Sequence, residues 1–188
     1  MLKGIIDYSH ELLKTSITEG EVAIDATCGN GNDTLVLSQI VGDSGHVYAF
    51  DIQEQAIQNS KQLLAEHERK NVTLIHGNHA ELEQYVPEEL KGKVGGAIFN
   101  LGYLPRSDKT IITKGETTIA AIESILSYLK KNGVIVIVIY HGHEGGQTEK
   151  EQVLAYAKNL DQKKHNVLMY RFINQKNNPP FIVAIQKK

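Results

Sequence analysis

The chain has 188 residues, 41% hydrophobic and 22% charged, enough for one globular domain with a substantial core and too little for two independent ones. Its longest apolar run, 134–140, is far short of the roughly twenty residues of a membrane helix, and the opening MLKGIIDYSHELLK lacks a signal-peptide core, so a soluble, cytoplasmic protein is expected. A formal net charge of −2 and an isoelectric point near 6.4 argue against indiscriminate nucleic-acid binding, and the single Cys28, with no zinc-type Cys/His spacing, excludes a disulfide scaffold and structural zinc. In chain order, residues 1–20 read as a helical cover carrying Tyr8, Ser9 and His10, with core or capping roles as the alternative. Short β-branched apolar runs then predict seven strands, at 22–26, 46–51, 72–76, 95–100, 133–140, 167–173 and 181–186. Helical spacing lies between the first five, best at 56–64 and 119–129, and another helix is predicted over 148–160. Such alternation implies a parallel sheet with right-handed crossovers. The connection 174–180 has no room for a crossover helix, so the last two strands should pair as an antiparallel hairpin. No repeat or linker interrupts residues 1–188, which read as a single domain.

The segment DATCGNGNDT (25–34) carries the strongest local signal. A strand runs into Gly29 and Gly31, which let backbone approach a ligand closely, and then into a helix. A dinucleotide fingerprint would need a third glycine where Thr34 stands, and no Gly-Lys-Ser/Thr of a phosphate loop follows. An acid at the strand end, Asp25, suits S-adenosylmethionine, whose sulfonium and ammonium are cationic: the carboxylate orients backbone amides or meets the ammonium. The alternative is a tight turn with Asp33 capping the helix. Asp51 lies 20 residues beyond Gly31, the position of a ribose-holding carboxylate in this cofactor and in NAD enzymes alike. Gln53 reaches the ribose or adenine edge, or faces water. Asn78 and His79 follow the third strand where an adenine would lie; a helix cap by Asn78 is the other reading.

FNLGYLP (99–105) puts Asn100 at a strand's carboxyl end, ahead of Gly102, Tyr103 and Pro105, on the edge where open α/β sheets bind ligands. It is similar to the Asn-Pro-Pro-Tyr loop of amino-methylating enzymes, with Leu101-Gly102 in place of the prolines. Asn100 and Tyr103 are therefore the candidate catalytic residues: acceptors orient the hydrogens of an amine while the ring packs on it. A pocket poor in carboxylates would favour the neutral amine by desolvation. A buried Asn that merely fixes the loop is the alternative. In YHGHEGG (140–146), His141 and His143 alternate on an extended chain and point opposite ways. No metal is expected, and Tyr140 or His141 would touch a base or phosphate.

With NQKNNPP (174–180), these motifs make the chain resemble, over nearly its whole length, the small class I S-adenosylmethionine-dependent methyltransferases of the rRNA-methylase family, which includes MnmM-type tRNA 5-(aminomethyl)-2-thiouridine methyltransferases. The resemblance implies a Rossmann-like α/β fold: a seven-stranded, mostly parallel sheet with a C-terminal antiparallel hairpin and helices on both faces. It also implies S-adenosylmethionine held by Asn30, Asn32, Asp51, Gln53, Asn78 and His79, beside Asp25, Gly29, Gly31 and Asp33 of the loop, and as acceptor the primary amine on a tRNA wobble uridine. Residues 1–100 carry 15 acidic and 7 basic side chains, residues 101–188 carry 7 and 13. That polarity suits an anticodon stem-loop on the second half, with Arg106, Lys109, Lys114, Arg171 and Lys176 on phosphates and Tyr103 and Tyr140 stacking on a base; lysines that only solubilise the surface are the bland alternative. Methylation of a small amine, methylation of rRNA and a non-enzymatic cofactor sensor are the competing functions. The sequence leaves room for a homodimer.

Overall fold

In the computed structural model, which describes residues 1–102, 113–142 and 145–188, the apolar runs pair into one sheet of seven strands among the described residues. The elements are α1 (Ile5–Ser16), β1 (Val22–Asp25), α2 (Asn32–Ile40), β2 (His46–Asp51), α3 (Glu54–Glu66), β3 (Val72–His76), two 3-10 turns (His79–Gln84 and Glu88–Leu90), β4 (Val94–Leu101), α4 (Gly115–Tyr128), β5 (Leu129–Ile139), α5 (Gly146–Lys158), β6 (His165–Tyr170) and β7 (Phe181–Lys187). The strand order is β3-β2-β1-β4-β5-β7-β6. Neighbours among the first five are parallel, while β7 runs antiparallel to both β5 and β6. This is the expected mostly parallel sheet closed by a hairpin.

Burial on both faces explains why the central strands read as continuous apolar runs rather than alternating ones. One face packs Ile24, Phe50, Phe99, Ile135 and Ile137 against Ile122 and Ile125 of α4 and Val153 of α5. The other packs Ala23, Ile98, Val136 and Ile182 against Leu13 of α1 and Leu37 of α2. The chain up to Leu101 builds β3, β2, β1 and β4, and the remainder builds β5, β7 and β6. The strands of the acidic half thus occupy one side of the sheet and those of the basic half the other, with α1 of the acidic half lying over β5. Among the described residues no helix is long and apolar enough to cross a membrane.

Several boundaries differ from the sequence expectation, each for a local reason. β2 and β3 match it residue for residue, whereas β1 stops at Asp25 even though the Ala26 amide still donates to the Ile98 carbonyl at 2.9 Å. β5 starts at Leu129 rather than Gly133, because Leu129 pairs with Val94 before the register jumps to Gly96 opposite Val134. Residues 130–133 bulge out at that jump, with Asn132 at φ 64°. The same pairing ends α4 at Tyr128. β6 occupies His165–Tyr170 instead of 167–173; its ladder ends where Tyr170 meets Ile182, and Ile173 stands 94% exposed. α5 begins two residues early, at Gly146, because Gly145 supplies a left-handed N-cap at φ 79°. After β3 the chain makes 3-10 turns instead of an α-helix, with Pro87 between them.

Candidate active site

The carboxyl ends of β1, β2, β4 and β5 meet at one edge of the sheet. The loop leaving β1 bends through Gly29 and Gly31, at φ 52° and 86°, and Gly31 caps α2. Its tightness comes from α3: a Cβ on Gly31 would stand 2.9 Å from the Ser60 Cα, and the Ser60 hydroxyl donates to the Gly29 carbonyl at 3.0 Å. The Asn59 amide donates to Asn30 Oδ1 at 2.9 Å. From β2, Asp51 accepts the Gly29 amide on Oδ2 at 2.9 Å and the Gln53 amide on Oδ1 at 3.0 Å. One carboxylate therefore ties the β1 loop to the β2 loop.

Asp25 behaves differently. It is fully buried, accepting the Thr34 hydroxyl at 2.6 Å and the Thr27 amide at 3.1 Å. Burial, reinforced by the negative charge of Asp33, raises its carboxyl to about 7. These bonds tie Asp25 to residues on either side of the glycine loop. Asn78 Oδ1 accepts the Ala80 amide at 2.9 Å, so Asn78 caps its 3-10 turn and keeps its amide hydrogens for other partners. The buried His79 ring lies edge-on to Phe99, with centroids 5.5 Å apart. Its Nδ1 faces the Ala26 carbonyl at 2.9 Å, and since a carbonyl only accepts, Nδ1 carries the hydrogen. That leaves Nε2 as a buried acceptor without a partner among the described residues, and burial lowers the ring's pKa. Asn32 is exposed on the first turn of α2, and Gln53 is half-buried at the N-cap of α3.

At the end of β4, the Asn100 backbone amide donates to Thr27 Oγ1 at 2.6 Å. Its side-chain amide nitrogen donates to Asp33 Oδ2. The other oxygen, Asp33 Oδ1, accepts His10 Nε2 from α1 at 2.5 Å. Asp33 does not cap α2, and the expectation of a pocket poor in carboxylates is corrected: Asp33 adjoins Asn100. Tyr140, 38% exposed, stands beside the same group; burial and then the Asp33 charge raise its phenol pKa. His141 is buried, its ring 5.7 Å from Phe181, and the Arg171 guanidinium lies 5.8 Å from the same ring. Lys114, Arg171 and Lys176 are exposed. Tyr103, Arg106, Lys109 and His143 lie outside the described residues.

Gly102 and Thr113, which flank residues 103–112, bond to each other. The Thr113 amide donates to the Gly102 carbonyl at 3.2 Å and the Gly102 amide to Thr113 Oγ1 at 3.1 Å. The Thr113 hydroxyl in turn donates to Glu149 at 2.7 Å, as Thr118 does at 2.9 Å. Burial raises the Glu149 carboxyl. Sequence reasoning missed Thr27, Thr34, Asn59, Ser60, Thr113 and Glu149. The first two stood inside the motif, and Ser60 was signalled as a small polar residue on the buried stripe Ala56, Ser60, Leu64.

Residues 47–186 match the family described as "Putative rRNA methylase". Residues 5–87 also match the protein-L-isoaspartate(D-aspartate) O-methyltransferase family, a match that stops before β4 and Asn100. A tRNA (mnm(5)s(2)U34)-methyltransferase, chloroplastic, of Arabidopsis thaliana is 40% identical over 167 residues, 84% of this chain; the chain spans 60% of that relative's length. Two solved structures match over the full length of both chains at 42% identity. One is a putative rRNA-methylase from Clostridium thermocellum, with a TM-score of 0.95, and the other is SMU.1697c, a putative methyltransferase from Streptococcus mutans in complex with SAH, with a TM-score of 0.91.

Proposed function

Since the chain belongs to this rRNA methylase family, we propose that it transfers a methyl group from S-adenosylmethionine to the nitrogen of a 5-aminomethyl group on the wobble uridine of tRNA, in the cytoplasm. The observation that carries the reading is the Asn100 amide, held by its nitrogen on Asp33 at the sheet's carboxyl edge, close to the glycine loop. A carboxylate can only accept, so Asn100 meets it with Nδ2 and turns its acceptor, Oδ1, away from Asp33. Support for the acceptor class comes from the relative named for tRNA U34 methylation, and for the cofactor from the relative solved with SAH.

S-adenosylmethionine, when bound, supplies an electrophilic methyl on a cationic sulfonium. The chain's own residues suit it. Gly29 and Gly31 leave backbone bare for close approach. Each Asp51 oxygen, with one amide bond made, keeps a lone pair for a ribose hydroxyl. His79 Nε2 is a buried acceptor awaiting a donor, and Gln53, Asn78, Asn30 and Asn32 offer amides around it. Asp33 and Asp51 give the edge a negative field that favours a sulfonium and an ammonium. Toward the acceptor, Asn100 Oδ1 takes an N–H of the amine and aims the nitrogen lone pair. Tyr140 and Tyr103 flank the base, and Arg106, Lys109, Lys114, Arg171 and Lys176 meet the anticodon stem-loop phosphates.

The test is incubation with S-adenosylmethionine, a chelator and tRNA from cells lacking the protein, followed by nucleoside mass spectrometry. Conversion of the 5-aminomethyl to the 5-methylaminomethyl nucleoside is expected. A methyl on carbon, on a ribose oxygen, on rRNA alone or on a free small amine would overturn the reading.

A further inference from the structure

The contact between α1 and the active-site edge runs through one carboxylate. His10 occupies Asp33 Oδ1 at 2.5 Å, and Asn100 Nδ2 occupies Asp33 Oδ2. All three side chains are partly buried, with the His10 and Asp33 side chains 20% and 15% exposed. A primary amide is nearly symmetric about its last torsion, so the orientation of Asn100 depends on what its nitrogen meets. Asp33, which can only accept, selects the nitrogen. A carboxylate held on one oxygen alone can still swing; held on both, it cannot, and the second holder is His10. The rest of α1 is fixed independently, by Leu13 in the core and by Tyr8 against Tyr170 with ring centroids 4.2 Å apart, so the imidazole arrives on a rigid support.

Resting on the reading above, in which Asn100 Oδ1 orients the amine, we propose that His10 is a positioning residue for methyl transfer: by locking Asp33 it holds the Asn100 amide with its oxygen toward the acceptor. His10 touches neither acceptor nor cofactor in this role. An ordinary staple between α1 and α2 would use the same His10–Asp33 bond, but it would act on stability and leave catalysis alone.

Five proteins separate the two: wild type, His10→Leu, His10→Gln, whose amide can still donate to Asp33, Asn100→Ala, and His10→Leu combined with Asn100→Ala. With tRNA as acceptor, His10→Leu should lower kcat about tenfold or more, since small misplacements of reacting groups are costly, while the SAH dissociation constant stays within about twofold. His10→Gln should restore most of the rate. In an Asn100→Ala background, His10→Leu should cost nothing further, because the group it positions is gone. Independently of turnover, the Asn100 side-chain amide protons should give one well-separated NMR pair in the wild type and His10→Gln, and a broadened or collapsed pair in His10→Leu. Unchanged kcat in His10→Leu, an equal loss in the Asn100→Ala background, or an unaltered Asn100 amide signal would overturn the proposal. A wild type inactive on tRNA would overturn the functional reading instead, and the NMR comparison would still decide whether His10 orders Asn100.

Discussion

Asp25 and Asp51 end adjacent strands at one edge of the sheet, and their surroundings separate what they can do. Asp51 is half-exposed and holds two backbone amides with lone pairs to spare. Asp51→Ala should weaken SAH binding about tenfold or more, because bonds to a charged acceptor contribute about 1.5–3 kcal/mol each; calorimetry with SAH measures it. Asp25 is sealed in the core, and burial followed by the Asp33 charge raises its carboxyl from 3.8 to about 7. The folded state therefore holds a proton that the unfolded chain releases above about pH 4. The stability this proton confers is complete below pH 4 and is lost as pH rises toward 7. Other carboxyl groups add their own slopes, so the comparison is with Asp25→Asn, which cannot ionise. The stability of wild type minus that of the variant should fall with pH between 4 and 7, by at most about 1.4 kcal/mol per pH unit, in urea titrations at several pH values. A flat difference would mean Asp25 is ionised throughout.

The pairing of Gly102 with Thr113 makes α5 a structural support for the end of β4, although α5 itself lies on the outer layer. Glu149 is the link, since it takes the hydroxyls of Thr113 and Thr118 together. Glu149→Leu should cost about 1–3 kcal/mol of stability by leaving those hydroxyls unpaired. It should lower kcat/KM for the acceptor while SAH affinity holds, which methyl-transfer kinetics beside SAH calorimetry would reveal; equal losses in both would place Glu149 under the cofactor instead. Elements of this kind divide sharply in how legible they are. β2 and β3 were readable to the residue because Gly45 and Asn71 mark their starts, ahead of the strand-favouring runs HVYAF and VTLI. The start of β5 was not, because Leu129 joins the strand through a single bridge to Val94 across a bulge. The 3-10 turns after β3 share apolar spacing with an α-helix, at Leu82 and Val86, and differ only in how the backbone closes. Site residues divide the same way. Those inside DATCGNGNDT and FNLGYLP were readable as motifs, but the bonds that organise them join His10 to Asp33, Thr27 to Asn100, and Asn30 to Asn59, positions 23, 73 and 29 apart. No local pattern specifies such partners.

Across the whole molecule, the division of charge along the chain becomes a division across the sheet, with the acidic side holding the β1 and β2 loops and the basic side holding β5, β7 and β6. A cationic cofactor and a polyanionic acceptor would thus approach the carboxyl ends of β1 and β4 from opposite fields. Replacing Arg171 and Lys176 with alanine should raise the KM for tRNA, reduce the slope of log KM against log salt by up to about one for each phosphate no longer neutralised, and leave SAH affinity intact. A salt-insensitive reaction would point to a small acceptor. The reversal of β7 also decides how the two chain ends face the world. Lys3 lies under the Tyr170 hydroxyl, near the carboxyl edge, whereas Lys187 pairs with His165 at the opposite edge. A tether or fused protein joined after residue 188 would leave the mouth of the site open to a bulky macromolecule, while one joined before residue 1 would stand at its rim and compete for the same space.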